Sequence, residues 1–213
     1  MKRLVILISG RGSNMAALID AVRAGEIDAA IGIVISNRPD AAGLATAATA
    51  GVATAVVDHR AFADRVEFER SLAAAIDAKA PDLVVLAGFM RILSPAFVAR
   101  YAGRLLNIHP SLLPAYPGVQ THRRALADGV RIHGCTVHFV TSDVDCGPIV
   151  AQAAVTVRHD DDEAALTARV LAVEHRLLPA AVQAFCAGRL VIVGSRVHVK
   201  QESVPDAELL VSA

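Results

Sequence analysis

The first half of the chain repeats one pattern, in which a short aliphatic run is followed by a longer segment with helical spacing of its apolar positions. The runs predict buried strands at Leu4–Ser9, Ala30–Ser36, Thr54–Val57 and Leu83–Ala87. The segments between them predict helices at Ser13–Ala24, Ala41–Ala50 and Asp64–Ala80, which stop at Gly25, Gly51 and Pro81. This alternation is typical of a doubly wound, mostly parallel sheet with helices on both faces.

The second half of the chain is less regular and is richer in proline, glycine and histidine. A shaped loop is predicted at Pro110–Gly118, which carries three prolines, and a long helix at Asp160–Gly188. Further elements are predicted as a helix at Thr121–Ala127 and strands at Leu105–Ile108, Thr136–Val140, Ile149–Val157, Leu190–Val193 and Arg196–Val199. We expect one α/β domain over residues 1–190 with a Rossmann-like first half, and a short C-terminal extension over residues 191–213.

Composition limits the classes of protein and partner. The chain has 213 residues, of which 54% are apolar and only 4% aromatic, as suits small aliphatic side chains packed between helices and a sheet. The formal net charge is zero, so no overall field attracts nucleic acid, and no apolar run is long enough to span a membrane. The three cysteines have no C-x-x-C spacing, which indicates reduced thiols and predicts a cytoplasmic protein.

The segment Ser9–Asn14 follows a predicted buried strand and opens a helix. Glycines let the backbone approach a ligand closely, and the free N–H groups of a helix N-terminus favour an anion, while Ser13 is a natural N-cap. The segment lacks the third glycine of a dinucleotide-binding loop and the Lys-Ser/Thr pair of a Walker A loop. It therefore predicts a single phosphate site, and the alternative is a tight turn with a helix cap.

Two later segments carry groups suited to acid–base chemistry. Asn107 and His109 are two apart in a predicted strand, so they share a face and together can hold an oxyanion and move a proton. The loop Asp143–Pro148 adds carboxylates that can orient His109 or hold a water, although the residues alone favour a solvated turn. A metal site built from His133, Cys135, His138 and Asp145 is possible, but the spacing fits no standard zinc pattern, and both histidines are interpreted as structural.

Taken together, four segments resemble the folate-dependent formyltransferases, from about Leu4 to about Leu190. The segments are Ser9–Asn14, Ala87–Leu93, Asn107–Pro114 and Asp145–Pro148. The resemblance implies a single α/β domain, 10-formyltetrahydrofolate as co-substrate, no metal, and formyl transfer to the amine of glycinamide ribonucleotide in purine biosynthesis. It also implies that the phosphate is held by the first half, residues 1 to about 100, and folate by residues 85–190.

The resemblance assigns roles residue by residue. Asn107, His109 and Asp145 would be catalytic, with the first two donating hydrogen bonds to the oxyanion and Asp145 fixing a water that relays protons. The ribotide would be bound by Gly12, Ser13, Asn14 and Glu174. Folate would be bound by Arg65, Met90, Arg91, Ile92, Leu93, Asn107, Val144 and Asp145.

Two positions depart from the family pattern. Cys146 stands where the family usually has glycine, which predicts strain if the backbone there is left-handed, and Gln120 stands where some members have histidine.

The alternative functions are those of methionyl-tRNA formyltransferase, formyltetrahydrofolate deformylase and a non-catalytic phosphate-binding module. The sequence leaves open a homodimer, and whether Arg11, Arg123 or Arg124 contacts the phosphate.

Overall fold

Seven strands form one sheet at the centre of the protein. The computed structural model describes residues 1–200. The first five strands pair in parallel with one another, and the sixth pairs antiparallel with both the fifth and the seventh. The predicted α/β class with a mostly parallel sheet is therefore confirmed. In the order β3-β2-β1-β4-β5-β6-β7, the strands are β1 (Lys2–Ile8), β2 (Ala29–Ser36), β3 (Thr54–Val56), β4 (Leu83–Leu86), β5 (Leu105–His109), β6 (Ile132–Phe139) and β7 (Ile149–Thr156).

In the described part of the chain, six helices cover the two faces of the sheet. They are α1 (Ser13–Arg23), α2 (Ala42–Thr49), α3 (Arg65–Asp77), α4 (Pro95–Arg100), α5 (Thr121–Ala127) and α6 (Glu163–Cys186), with a 3₁₀ turn at His59–Ala61. Alternate residues of β1 point to opposite faces, so Ile6 packs in the core beneath α1 and α6 while Leu7 packs in the core beneath α3 and α4. Because both faces are buried, β1 reads as a continuous aliphatic run.

Every predicted element forms, with small shifts at the ends. Helix α6 starts at Glu163 because the Asp162 side chain accepts a hydrogen bond from the Ala165 N–H at 2.7 Å and caps the helix. Strand β6 starts at Ile132, four residues before the predicted start at Thr136. Helix α4 was not predicted, because six residues show no helical period; its signal is Ser94, which caps it, followed by a proline in the first turn.

After α6 the chain forms a separate antiparallel hairpin of β8 (Leu190–Val193) and β9 (Arg196–Val199), as predicted. Strand β9 lies near β7 at the edge of the main sheet. The rest of the expected extension, residues 201–213, lies outside the described residues. Among residues 1–200, no helix combines the length and the apolar character needed to cross a membrane.

Candidate active site

A cleft of about 590 Å³ opens at the carboxyl ends of the parallel strands, the edge where ligands bind in sheets of this type. Loops after β1, β2, β4 and β5 form its walls, and α6 closes one side. It is lined by Ser9, Gly10, Arg11, Gly12, Ser13, Asn14, Asn37, Arg38, His59, Ala87, Gly88, Met90, Arg91, Ile108, Pro110, His122, Thr167, Leu171 and Glu174.

The loop after β1 ends in a backbone shape that only glycine adopts without strain. Gly12 has φ 75°, and a Cβ there would lie 2.9 Å from Gly43 Cα. Gly12 is therefore the N-cap of α1, and the prediction that Ser13 caps the helix is wrong, since Ser13 is already its first helical residue. Within the described residues no side chain caps this helix, and Gly12, Ser13 and Asn14 line the cleft. The first N–H groups of α1 are therefore available to an anion.

Deeper in the cleft, α1 and α6 meet through a buried polar pair. The Asn14 side-chain amide donates to Glu174 Oε2 at 2.7 Å, and the two residues are 9% and 6% exposed. Burial raises the pKa of the Glu174 carboxyl, and the hydrogen bond from Asn14 acts against that shift. Within the described residues, Asn14 Oδ1 has no hydrogen-bond partner. This end of the cleft therefore offers acceptor oxygens, which suit the hydroxyl groups of a ligand.

At the floor of the cleft, hydrogen bonds of the Ser9 side chain connect three segments of the chain. Its hydroxyl donates to Asn37 Oδ1 at 2.6 Å and accepts from the Met90 N–H at 2.7 Å. The backbone carbonyl of Asn37 accepts a hydrogen bond from His59 Nδ1 at 2.9 Å. These contacts fix the ends of β1 and β2 and the loop after β4 relative to one another.

Several residues that line this cleft were not predicted from the sequence. Arg38 and His59 follow β2 and β3, and only the order of strands in the sheet brings them beside the loop after β1. Thr167 and Leu171 could have been predicted from the sequence. They precede Glu174 on α6 by seven and three positions, so they share its face of the helix.

A second group of polar side chains stands on β5. Asn107 and His109 share one face of this strand, as predicted. Asp145 comes from the loop between β6 and β7, and its Oδ2 lies 3.4 Å from His109 Nδ1. The same Asp145 oxygen accepts a hydrogen bond from the Gly118 N–H at 2.8 Å, and His109 Nε2 lies 3.0 Å from the Tyr116 carbonyl. Both ring nitrogens thus face oxygen acceptors, and they can both donate only when the imidazole is doubly protonated.

The structure places His138 in this group, although the sequence interpretation made it structural. It pairs with Asn107 across β5 and β6, and its Nε2 lies 3.1 Å from Asn107 Nδ2 and 3.8 Å from Asp145 Oδ1. His138 Nδ1 donates to the Phe139 carbonyl at 2.9 Å, which leaves Nε2 as an acceptor in the neutral ring. Burial lowers the pKa of His138 and so favours that neutral form. Asn107 thereby donates one amide hydrogen to His138, and among residues 1–200 the second has no other partner and can bind a ligand.

Comparison with known proteins fits this arrangement. The formyl transferase family matches residues 2–182. The chain belongs to the formyl transferase family. It is 54% identical over 187 residues to the phosphoribosylglycinamide formyltransferase of Escherichia coli K12, covering 88% of each. Among solved structures, glycinamide ribonucleotide transformylase 1 from Symbiobacterium toebii matches with a TM-score of 0.92 at 48% identity, covering 93% of this chain and 94% of that one. Formyltetrahydrofolate deformylase from Burkholderia mallei matches at 33% identity and a TM-score of 0.85, over 94% of this chain and 70% of that one.

Exposed apolar side chains in this formyl transferase flank the group on β5. Met90 and Ile92, in the loop after β4, are 72% and 66% exposed, and Val144, beside Asp145, is 48% exposed. Such exposure next to polar groups is typical of a ligand surface. Leu93 differs, because it is buried in the core with α3. Arg65, at the start of α3, is half exposed, and its Nε lies 3.9 Å from Glu69 Oε1.

The loop that carries Asp145 accommodates Cys146, the position at which this chain departs from the family pattern. The left-handed residue is Asp145 itself, with φ 55°, and Cys146 is not among the left-handed residues, so the conditional prediction of strain does not apply. The Cys146 side chain is exposed, and its thiol lies 3.2 Å from the Val144 carbonyl. Gly147 is the constrained position, because a Cβ there would lie 1.7 Å from the Phe139 carbonyl oxygen.

The residues weighed for a metal site separate onto the two faces of the sheet. Cys135 is fully buried in the core on the α1 and α6 side, whereas His138 lies on the face of β6 that meets Asn107. His133 packs edge-on against Tyr116 and His122. Residues 1–200 contain no group of three or more His, Cys, Asp or Glu side chains arranged to hold a metal ion.

Glu174→Gln should make the protein more stable at alkaline pH and weaken ribotide binding. A carboxyl whose folded-state pKa is raised binds more protons folded than unfolded, so stability falls as pH rises from the unfolded pKa, about 4.3, through the folded one. Glutamine removes that dependence, and its amide can donate to Asn14 Oδ1. The resemblance assigns Glu174 to the ribotide, and losing one charged hydrogen bond of about 1.5 kcal/mol there should raise the ribotide KM roughly tenfold.

Thermal unfolding at pH 5 and pH 8, together with the ribotide KM, tests this. Glu26→Gln removes a charge from an exposed residue and serves as the control. A Glu174→Gln protein that melts below wild type at pH 8 would contradict the prediction.

Proposed function

We propose that the protein transfers the formyl group of 10-formyltetrahydrofolate to the amine of glycinamide ribonucleotide, giving formylglycinamide ribonucleotide and tetrahydrofolate. One observation carries this proposal: the anion loop at Gly12 and the Asn107–His109–Asp145 group lie at the same edge of one sheet. A phosphorylated substrate held at the first is thereby delivered to acyl-transfer groups at the second. The names of the relatives at 54% and 48% identity support the same reaction.

The polarity of the cleft fits a ribotide. Donors stand at one end, in the N–H groups of Ser13 and Asn14, and suit a phosphate. Acceptors stand deeper, at Glu174 and Asn14 Oδ1, and suit ribose hydroxyls. Of the arginines that the sequence left open, Arg11 lines the cleft, whereas the Arg124 guanidinium donates to the Pro117 carbonyl at 2.6 Å. We therefore propose that Arg11 contacts the phosphate of the ribotide.

The reaction needs a group that stabilises a negative oxygen and a route for protons. The amine attacks the formyl carbon, the new C–N bond forms, and the carbonyl oxygen becomes an oxyanion. The second amide hydrogen of Asn107 and the Nδ1–H of doubly protonated His109 donate to that oxygen, while Nε2–H stays bonded to the Tyr116 carbonyl. Asp145 stabilises the imidazolium and holds the water that carries a proton from the attacking amine to N10, as the bond from the formyl carbon to N10 breaks. These steps use no metal.

The folate is placed against the apolar loop side chains. Met90, Ile92 and Val144 contact the pterin, with Arg91 and the backbone around Asp145 beside them, while Leu93 supports the loop from the core. Arg65 is exposed on α3 and suits the negatively charged glutamate tail of the folate. The phosphate thus binds to the half comprising residues 1 to about 100, and folate and catalysis belong to residues from about 85 to 190. The cytoplasmic location and a homodimer stay predictions.

A spectrophotometric assay with 10-formyltetrahydrofolate tests the proposal, run with and without glycinamide ribonucleotide. We expect tetrahydrofolate to form only when the ribotide is present. Release of formate without ribotide would instead favour the deformylase reaction, which the match to the Burkholderia mallei protein makes the second candidate. Tight ribotide binding without turnover would point to a non-catalytic module.

A further inference from the structure

A buried hydroxyl on β6 holds the start of the proline-rich loop. Thr136 is fully buried and pairs across the sheet with His109 on β5 and with Gln152 on β7. Its hydroxyl donates to the Ser111 carbonyl at 2.7 Å and accepts from the Leu113 N–H at 3.0 Å. These two bonds attach the loop that follows β5 to the middle of the neighbouring strand.

Gln152 completes the attachment. Its side-chain amide donates to the Leu113 carbonyl at 2.8 Å and to the Thr136 hydroxyl at 3.0 Å. The hydroxyl then has one donor and two acceptor interactions, which is its full capacity. Removing it would leave the Ser111 carbonyl and the Leu113 N–H without this partner inside the protein, where unpaired polar groups are costly.

The other end of the same loop touches the catalytic pair. Its Tyr116 carbonyl faces His109 Nε2 at 3.0 Å, and its Gly118 N–H donates to Asp145 Oδ2 at 2.8 Å. A carbonyl oxygen can only accept, so Nε2 must carry a proton. Nδ1 lies 3.4 Å from Asp145 Oδ2, which is longer than an ordinary N–H···O hydrogen bond. The hydrogen bond of the ring is therefore the one at Nε2, and the neutral ring is the Nε2–H tautomer.

We propose that Thr136 and Gln152 are positioning residues that, through the loop of residues 110–118, fix the tautomer of His109 and make Nδ1 its reactive nitrogen. The catalytic part of this proposal rests on the proposed function, whereas the tautomer does not. The loop acts on both members of the pair, because it holds the ring through Tyr116 and the carboxylate through Gly118. Thr136 and Gln152 themselves contact neither the reacting atoms nor Asp145.

The kinetic test compares Thr136→Val with Thr136→Ser, which keeps the hydroxyl. Because a displacement of about 1 Å can cost about 100-fold, we expect Thr136→Val to lower kcat about tenfold with the ribotide KM nearly unchanged. Thr136→Ser should recover most of this loss. Gln152→Leu removes the bond to Leu113 and should lower kcat about threefold. Thr156→Val, on the exposed end of β7, is the matched control and should behave as wild type.

Nitrogen-15 NMR of the histidine rings gives a readout that does not depend on activity. At alkaline pH, His109 in the wild type and in Thr136→Ser should be protonated at Nε2. In Thr136→Val, the proton should exchange between the two nitrogens, and the Nε2 and Nδ1 shifts should move toward each other. The pH profile of kcat should shift in Thr136→Val alone.

The outcomes separate the two proposals. A folded Thr136→Val protein with the wild-type tautomer and wild-type kcat would overturn the positioning role. Thr136→Ser as impaired as Thr136→Val would also overturn it, because the hydroxyl would not be the cause. A His109 tautomer that depends on Thr136, in a protein without ribotide-dependent transfer, would support the positioning role and refute the proposed function instead.

Discussion

Replacing His109 with alanine should lower kcat for ribotide-dependent formyl transfer by about 100- to 10,000-fold, the range expected for losing a positioned acid–base group. The ribotide KM should change little, because the anion loop at Gly12 and the Asn14–Glu174 pair do not contact this side chain. The loss arises because the oxyanion loses one donor and Asp145 loses the imidazole beside it. Steady-state kinetics with each substrate varied in turn measures both constants.

His159→Ala is the matched control, because its side chain is 88% exposed and lies outside the cleft. Circular dichroism and thermal unfolding establish that both variants are folded. A folded His109→Ala protein with kcat within about threefold of wild type would remove His109 from the catalytic step. A large rise in the ribotide KM at unchanged kcat would make it a binding residue instead.

The second large effect is expected at Gly12→Ala. The left-handed backbone costs a non-glycine residue about 1–2 kcal/mol, and the new Cβ would lie 2.9 Å from Gly43 Cα, so the loop must move. Losing two hydrogen bonds to the phosphate, each worth about 1.5 kcal/mol, corresponds to roughly a 100-fold rise in the ribotide KM. The KM for 10-formyltetrahydrofolate should stay close to wild type.

Gly25→Ala separates backbone strain from crowding. Gly25 follows α1 with φ 76°, nearly the value at Gly12, but no other atom of the described residues lies within 4 Å of a Cβ built there. It should lose a similar 1–2 kcal/mol of stability from strain and keep the wild-type ribotide KM. Equal ribotide KM values for the two alanine variants would show that the shape of the Gly12 loop does not matter for binding.

The parts of the site that sequence could predict are local ones. The anion loop follows β1 directly and opens α1, so a few consecutive residues contain its whole signal. Asn107 and His109 are likewise two positions apart on one strand, and strand alternation alone puts them on one face.

The parts that sequence missed depend on pairing between distant segments. His138 meets Asn107, and Thr136 meets His109, only because β6 returns antiparallel to β5 in one particular register. A shift of one residue would turn both side chains to the opposite face, where Cys135 and Val137 now pack in the core. No local pattern around His138 reports that register, which is why its structural interpretation was the simplest one.

The hydrogen bond between Asn14 and Glu174 spans 160 positions along the chain. One wall of the cleft therefore comes from α1 and another from α6. A contact between residues so far apart in sequence forms late, because closing a long loop costs entropy that local contacts must first offset. We therefore expect the cleft to be completed near the end of folding, after the strands between these two helices have paired.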